Sequence, residues 1–391
     1  MNFVELTRDA AAFSEWRRRV FPFFEHKICL THASVSPLPR QVSQAIVNYA
    51  ELIAREGQFE PAHETTYKEC KERLARLIGY GAAPDEVAFA SSTSHALGMV
   101  ATGLDWQTGD NCIVADGDFP ANVITWKNLT HTHGVEVRMI PHRPAMNITL
   151  DDVAALVDER TRIASLASAN FLSGYPVDLA AIGAWLHERG ILFCVDAIQT
   201  LGAIRLNAEH VDFICADAHK WLLGPNGIAV LWARRGVLEK MRPAIFGWLA
   251  PQNRDDWFAY DTTPIDSAER FEAGSRNYLG IVGFHAALEL LQDVGAEIIE
   301  DRVTHLRNYA AQKLRKQGCR LLWNTDPALH AGIVTFYPPS GDATVLYNKL
   351  DEHFALALRT DKNGTPCIRV SPHFMNTEED IDKLASAISH A

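Results

Sequence analysis

Polar and ionisable residues follow two apolar runs within residues 191–227. The first run, ILFCV, is followed by Asp196 and Gln199. The second, VDFICA, is followed by His219 and Lys220. An apolar strand interior has no need of these side chains, whereas a carboxylate, an amide, an imidazole and an amine can carry protons or bind a cofactor. A site at the ends of two adjacent strands would account for both clusters.

The chemistry that these residues could share is that of pyridoxal 5′-phosphate (PLP). A lysine that is partly desolvated at a strand end can have its pKa lowered enough to form a Schiff base, and Lys220 is the candidate for that role. PLP also needs a carboxylate at its pyridinium nitrogen, for which Asp196 is the candidate. Gln199 could reach the ring hydroxyl from the same loop. Taken alone, Lys220 would more often be a surface lysine, so the prediction depends on the combination.

The elements that must position these residues alternate between strands and helices. Apolar runs typical of strands occur at 86–90, 111–115, 135–140, 162–167, 191–195, 211–216 and 227–233. Helical patterns lie between most of them, which predicts a mostly parallel seven-stranded sheet with helices on both faces. Sheets of this α/β class place their sites beyond the C-terminal ends of strands, where the polar clusters occur.

The last third of the chain has a different pattern. Two long helical patterns precede short strands, and a final helix is expected to begin after Thr377, a capping residue followed by acidic residues. The helical patterns cover 278–293 and 295–317, and the strands lie near 319–323, 331–337, 355–359 and 367–371. We therefore predict a large α/β domain over residues 20–275 and a smaller α+β domain over 276–391, which also includes the N-terminal segment 1–19.

Composition narrows the class of partner. The 391 residues carry a net charge of −11 without a basic stripe, which argues against nucleic acid. The seven cysteines are scattered and include no CxxC, so we expect reduced thiols in a cytoplasmic protein, with no disulfide frame and no metal site. The N-terminus lacks the apolar core of a signal peptide, and no apolar run approaches about 18 residues, so no membrane contact is expected.

The segment VDAIQTLG, followed by VDFICADAHKWLLGPNG, resembles the class V aminotransferase family of PLP enzymes. This fold-type-I family includes cysteine desulfurases, selenocysteine lyases and isopenicillin N epimerase, and the similarity extends over roughly residues 25–388. The resemblance implies the PLP-dependent transferase fold. It makes Lys220 the Schiff-base lysine, Asp196 the pyridinium partner and Gln199 the residue at the ring oxygen.

The resemblance also implies a phosphate site. The segment FASSTSHALGMVA is similar to the family's phosphate loop, with Ser92, Thr93 and Ser94 at a helix N-terminus, where an anion is favoured. An ordinary Ser/Thr helix cap is the alternative for these residues. His219 would contact the phosphate, although a lone histidine is more often structural. Ser275, in FEAGSRN, would reach the phosphate of a neighbouring subunit, which implies a homodimer with sites at the interface.

Five further residues are expected at the ring or the substrate. Phe119 falls where the family places a ring against the cofactor face, and Asn170 fits a family polar residue near the ring or the substrate. Arg369, in IRVSPHF, would bind the substrate α-carboxylate, with a structural arginine paired to Asp or Glu as the alternative. Arg359 matches a segment found in desulfurases, and His32 lies in a segment similar to a substrate-side loop, so both are predicted substrate contacts.

The chain departs from the cysteine desulfurases at the loop that carries their nucleophilic cysteine. The corresponding text, LRTDKNGTPC, has no cysteine in the loop, and Cys367 falls in a predicted strand. Asp217 stands where desulfurases often have a serine near the phosphate, so we expect it to turn away or to cap the turn. Arg276 could bind a second acidic group on the substrate or pair with an acidic neighbouring residue, and the pairing is favoured.

The favoured function is therefore a β-elimination carbon–sulfur lyase that acts on an amino acid, without the desulfurase loop cysteine. An aminotransferase or an amino-acid epimerase of the same family remains open, because family membership does not establish transamination. A non-catalytic PLP-binding scaffold is the alternative from another class. A nicotinamide oxidoreductase and a serine hydrolase are disfavoured, since neither G-x-G-x-x-G nor G-x-S-x-G is present.

Overall fold

Strands and helices alternate through the first two thirds of the computed structural model, which describes residues 3–58, 62–323, 331–339 and 341–390. The strands are β1 (Ile28–Cys29), β2 (Val87–Ala90), β3 (Asn111–Ala115), β4 (Glu136–Ile140), β5 (Thr161–Ala167), β6 (Leu192–Asp196), β7 (Phe213–Asp217), β8 (Ala229–Ala233), β9 (Arg320–Leu321), β10 (Val334–Tyr337), β11 (Phe354–Ala355), β12 (Ala357–Thr360) and β13 (Pro366–Val370).

Helices cover the sheets on both sides. They are α1 (Phe3–Arg8), α2 (Ala10–Val20), α3 (Arg40–Glu56), α4 (Ala62–Ile78), α5 (Thr93–Gly103), α6 (Ala121–Lys127), α7 (Leu129–His133), α8 (Leu150–Ala154), α9 (Leu179–His187), α10 (Arg235–Leu238), α11 (Tyr278–Val294), α12 (Ala296–Lys316), α13 (Ala343–Leu350) and α14 (Glu378–Ser389). None of them is long and apolar enough to cross a membrane, within the ranges that the structure describes.

The large sheet has seven strands in the order β2-β8-β7-β6-β5-β3-β4. Strands β4, β3, β5, β6 and β7 run parallel, and β8 is antiparallel to both of its neighbours. All seven strands predicted from the sequence are in this sheet. Every residue of β3, β7 and β8 is buried, as expected for strands that are covered on both faces.

The parallel pairing of β6 and β7 decides where the polar clusters meet. Asp196 is the last residue of β6, and the turn that holds Lys220 follows β7. Because neighbouring parallel strands end at the same edge of a sheet, the two clusters share that edge. Gly202 allows the loop after β6 to approach the Lys220 turn, since a Cβ there would lie 2.6 Å from the carbonyl oxygen of Trp221.

A second, four-stranded antiparallel sheet has the order β12-β13-β10-β9. Side chains from α12, α13 and α14 join it in a separate apolar core. Thr377 caps α14 in a capping box with Asp380, as the sequence predicted. Helix α11 packs against α3 and α4 beside the large sheet, and the division of the chain at residue 276 stays a prediction.

The N-terminal segment connects the two sheets. Strand β1 pairs in parallel with β11, and Thr31 forms a bridge to Ser371, directly after β13. The chain then turns toward the Lys220 edge, where the N–H of Ser36 donates to the carbonyl of His219 over 2.9 Å. Residues from the first forty positions therefore contribute to the edge where Asp196 and Lys220 meet.

Candidate active site

Lys220 lies in a tight turn that follows β7, and only 7% of the residue is exposed. The turn is fixed by the Ser36 hydroxyl, which donates to the Lys220 carbonyl over 2.6 Å. The Lys220 amine lies 5.5 Å from the centroid of the Phe119 ring. Burial and the nearby Arg369 lower the pKa of Lys220 to about 8, against the opposing effect of Asp196. A substantial fraction of the amine is therefore neutral near pH 8, as a nucleophile or a base requires.

Asp196 is a buried carboxylate with little compensation. It is 1% exposed, and its Oδ1 accepts one hydrogen bond, from the N–H of Ile198 over 3.1 Å. Burial and the neighbouring Asp118 raise its pKa to about 7. No ion pair to Asp196 occurs in the part of the chain that the structure describes. A cationic ligand group, such as a protonated pyridine nitrogen, is what this carboxylate would stabilise, so the site fits the expected cofactor.

The N-terminus of α5 faces this edge, and its three hydroxyl residues have different partners. The Ser92 hydroxyl caps the helix by accepting from the N–H of His95 over 3.2 Å. The N–H and hydroxyl of Thr93 both donate to Oδ2 of Asp217, over 2.8 and 2.9 Å. Ser94 is exposed, and its hydroxyl has no hydrogen bond to any residue within the described ranges. The Ser94 hydroxyl is therefore available to an anion.

Asp217 caps this helix, which is one of the two orientations expected from the sequence. Burial opposes ionisation, but the neighbouring His219 and the hydrogen bonds from Thr93 hold the pKa of Asp217 below its usual value. Its Oδ1 lies 3.5 Å from Nδ1 of His219. The carboxylate thus points into the start of α5 and orients His219 beside the same helix terminus.

Gln199 and Asn170 are buried next to these strand ends. The amide of Gln199 donates to the Ala33 carbonyl over 3.2 Å and accepts from the Trp221 indole over 3.3 Å. Asn170 follows β5 and donates to the Gly117 carbonyl over 3.0 Å. Both amides therefore hold loops in place, and their contacts with a cofactor ring stay predictions.

Two arginines of the small sheet share one hydroxyl partner. Arg369 of β13 and Arg359 of β12 both donate to Oγ of Ser34, over 2.5 and 2.8 Å. Arg369 also donates to the carbonyl of Phe171, while its buried Nε has no hydrogen-bond partner among the described residues. Burial and the adjacent Arg359 lower the pKa of Arg369 to about 9.

No carboxylate pairs with either arginine in the part of the chain that the structure describes. The alternative of a structural Arg369 paired to Asp or Glu therefore finds no support there. A buried guanidinium beside a half-buried one, with no carboxylate partner in the described ranges, favours an anionic ligand, and a carboxylate fits their geometry.

Phe119 lies near the end of the loop between β3 and α6, and its partly exposed ring lies above the Lys220 amine. It packs edge-on against Phe171, with the ring centroids 5.3 Å apart. Asp118, which the sequence did not single out, accepts from the Phe119 N–H over 2.7 Å. The available signal was its place in the polar cluster DGDFPAN that follows a strand.

His32 lies in the core beneath the Lys220 turn, with no exposed surface. Its Nδ1 bonds to the Ser36 hydroxyl over 2.7 Å, and its ring packs against His373 and Trp221. Burial and the nearby His373 keep the pKa of His32 well below its ordinary value, so the ring is neutral. These contacts support the turn through Ser36, and a substrate contact for His32 stays a prediction.

Ser275 is exposed in the segment after the short 3₁₀ helix Ala268–Phe271. Its neighbour Arg276 pairs with Glu272 at 2.8 Å, Glu269 at 3.2 Å and Glu64 at 3.3 Å. The favoured interpretation of Arg276, pairing with acidic neighbours, agrees with these contacts.

All seven cysteines are buried and free. The segment 361–365 forms the turn between β12 and β13 and contains no cysteine. Burial raises the pKa of the Cys367 thiol to about 11, and its Sγ contacts the Arg359 carbonyl at 3.5 Å. No thiol of the chain is both exposed and easily ionised.

A buried lysine and a buried aspartate at adjacent strand ends of an α/β sheet are groups of the kind that PLP-binding proteins use to hold the cofactor. The aminotransferase class-V family model matches residues 28–384. The chain belongs to this family, whose members are PLP-dependent enzymes, and it has the fold-type-I architecture expected from the sequence.

Known proteins agree with this assignment. The chain is 30% identical to a cysteine desulfurase from Klebsiella pneumoniae over 334 residues, which cover 81% of this chain and 80% of the relative. Among solved structures, an apo cysteine desulfurase from Thermococcus onnurineus has a TM-score of 0.87 at 22% identity and covers 96% of this chain and 97% of its own. The cystine C–S lyase C-DES, in complex with its product cysteine persulfide, has a TM-score of 0.85 at 22% identity, with coverages of 94% and 99%.

Proposed function

We propose that this protein binds PLP through Lys220 and catalyses β-elimination at a carbon–sulfur bond of an amino acid. The observation that supports the proposal most is the convergence of three complementary groups at one edge of the sheet. They are an amine with a lowered pKa, a buried carboxylate and a pair of arginines, and within the described ranges neither the carboxylate nor the arginines have an ion-pair partner. These groups match the aldehyde and ring nitrogen of the cofactor and the carboxylate of an amino acid.

Bound PLP would supply an electron sink for negative charge at the substrate α-carbon. Asp196 would hold a proton on the ring nitrogen, and Phe119 would pack against the ring face. The phosphate would bind at the start of α5, where the Ser94 hydroxyl and His219 are available. Gln199 and Asn170 would contact polar atoms of the ring.

The chain's own residues would perform the binding and proton transfer. Arg369 and Arg359 would bind the substrate carboxylate and so orient the α-proton toward the site. The Lys220 amine, neutral in part near pH 8, would take that proton. The bond from the β-carbon to sulfur then breaks, and its electron pair leaves with the sulfur. Overall, an S-substituted cysteine and water give a thiol, pyruvate and ammonium.

The fate of the sulfur distinguishes this proposal from desulfurase chemistry. A persulfide on the protein needs an exposed thiolate on a mobile loop. The turn 361–365 lacks a cysteine, and Cys367 is buried with a raised thiol pKa. We therefore propose that this chain lacks the desulfurase loop cysteine and releases sulfur as a small thiol, persulfide or sulfide.

The test is product analysis with purified, PLP-supplied protein. We expect pyruvate and ammonium in equal amounts, together with cysteine persulfide from L-cystine or an alkyl thiol from an S-alkyl-L-cysteine. Lys220→Ala should give no product, and Cys367→Ala should keep activity within about twofold of wild type, because that thiol stays protonated. Loss of turnover in Cys367→Ala, without loss of folding, would contradict the thiol-independent route.

The same assay separates the alternatives. An aminotransferase would convert the substrate to a keto acid that retains its sulfur and would need an amino acceptor. An epimerase would convert the L-amino acid to a mixture of its L- and D-forms with no other product. A non-catalytic scaffold would bind PLP without turning over any amino acid.

We also propose a cytoplasmic homodimer in which Ser275 of one subunit reaches the cofactor phosphate of the other. The segment before Ser275 exposes several large apolar side chains, which supports an interface there. They are Ile245, Trp248, Trp257, Phe258 and Tyr260. Sedimentation equilibrium should give twice the chain mass of 43.5 kDa, and a monomer that binds PLP with full affinity would contradict the shared site.

A further inference from the structure

Asp118 connects three parts of the site. Its Oδ1 accepts from the N–H of Phe119 over 2.7 Å. Its Oδ2 accepts from the Asn122 side chain over 3.0 Å and from the N–H of Ala167 over 3.1 Å. The loop after β3, the start of α6 and the end of β5 are thus joined by one carboxylate, and the loop it fixes is the one that carries the Phe119 ring.

The contact with Ala167 brings Asp118 beside Asp196. Ala167 is the last residue of β5 and is the direct neighbour of Asp196 across the β5–β6 pairing. Asp118, in the loop after β3, and Asp196, the last residue of β6, therefore lie on either side of the end of β5. Asp118 is among the groups that raise the pKa of Asp196, and burial raises the pKa of Asp118 itself. The pair favours a positive charge between or above them.

We propose that Asp118 is a positioning residue of this site, which fixes the Phe119 ring above the Lys220 amine and adds a second negative charge next to Asp196. The inference rests on the proposed binding of PLP. It assigns Asp118 no contact with the substrate. The hydrogen bond from the Phe119 N–H to Asp118 limits the orientations of the ring. The negative charge of Asp118 adds to that of Asp196 and so helps to stabilise a cationic cofactor.

The proposal predicts a pH effect, so the other charges at the site matter. Lys220 is influenced by Asp196 of β6, by Asp217 of β7 and by Arg369 and Arg359 of the small sheet. All of these are unchanged when Asp118 becomes neutral. A change in the titration of the Lys220-bound cofactor in an Asp118 variant therefore reports the lost charge.

The experiment compares Asp118→Asn with Asp116→Asn as a matched control. Asp116 lies two residues earlier and is partly exposed, and its side chain pairs with Lys362. The readouts are the pH midpoint of the visible absorbance of PLP-loaded protein and the visible circular dichroism of the bound cofactor. We expect Asp118→Asn to lower the midpoint by about 0.5 to 1 pH unit, because the loss of a negative charge near the site disfavours the cationic form. Asp116→Asn should stay within about 0.3 unit, because solvent screens its charge.

A second variant, Asp118→Glu, separates the effect of the charge from the effect of the hydrogen bonds. It also tests the proposal if Asp118→Asn does not fold. It retains the charge, but the longer side chain cannot keep all three hydrogen bonds. We expect a midpoint within about 0.3 unit of wild type, weaker visible circular dichroism and about fivefold weaker PLP binding. Wild-type dichroism and affinity in this variant would overturn the positioning role.

The outcomes also distinguish this inference from the proposed function. If wild-type protein binds PLP and Asp118→Asn titrates like Asp116→Asn, the inference fails alone. If wild-type protein binds no PLP, the proposed function fails and the inference with it.

Discussion

Replacing Asp196 with asparagine is expected to stabilise the cofactor-free protein while weakening its hold on PLP. The carboxylate is 1% exposed and receives one hydrogen bond, from the Ile198 N–H. Its charge has no ionic partner in the described ranges until a cationic ligand arrives. Residues that serve a ligand in this way commonly reduce the stability of the ligand-free protein.

The magnitude follows from the pKa of Asp196, which is about 7 in the folded protein against an ordinary value of 3.8. Below pH 3.8 the Asp196 carboxyl is protonated in both the folded and the unfolded protein, so its titration does not lower the stability. As pH rises to 7 the unfolded chain loses the proton first, so stability falls, by about 4 kcal/mol in total at 1.36 kcal/mol per pH unit. Asparagine does not titrate. We expect a gain of about 2–4 kcal/mol at pH 8, where the lower figure allows for an unpaired amide, and about half of that at pH 5.5.

Urea unfolding of cofactor-free protein at both pH values measures this gain. Asp217→Asn is the matched control, since Asp217 ends the neighbouring strand but is compensated by Thr93 and His219 and has a lowered pKa. That lowered pKa contributes stability above the ordinary value, so its replacement should reduce stability at pH 8 by about 1–2 kcal/mol. If cofactor-free Asp196→Asn were no more stable than the cofactor-free wild-type protein at pH 8, the view that the Asp196 charge destabilises the protein until it binds a cationic ligand would be refuted.

Two further predictions concern the substrate and the phosphate. Arg369→Lys should raise KM for the amino acid about 10- to 100-fold with a smaller effect on kcat, because an ammonium cannot form the paired hydrogen bonds of a guanidinium. Steady-state kinetics measures both constants, and an unchanged KM would show that Arg369 does not bind the substrate. Ser94→Ala should weaken PLP binding about 5- to 10-fold in a fluorescence titration. Ser92→Ala should leave PLP affinity nearly unchanged but lower the free energy of unfolding by about 1 kcal/mol, because the helix loses its cap. The reverse result would show that Ser92 binds the phosphate and Ser94 caps the helix.

The sheet and the edge where the site forms could be predicted from the sequence. Apolar runs of strand length, separated by helical patterns, indicate parallel pairing, and parallel pairing brings the ends of β6 and β7 together. Asp196 and Lys220 meet for this reason. The start of α14 was also predictable, because a Thr377 cap and an acidic first turn act within a few residues.

Side-chain partners that are distant in the sequence could not be predicted. Thr93 and Asp217 are 124 positions apart, and Ser34 is 335 positions from Arg369. Such pairs depend on how the sheets and loops pack, which local patterns do not encode. His32 illustrates the same limit, since a histidine in a polar loop does not reveal that it lies buried under the Lys220 turn.

The most direct test of the central claim is to identify the lysine that holds PLP. Protein incubated with PLP is reduced with borohydride, digested and analysed by mass spectrometry. We predict that the peptide containing Lys220 carries the phosphopyridoxyl group and that Lys220→Ala carries none. Modification of another lysine with Lys220 unmodified, or no specific modification, would contradict the account.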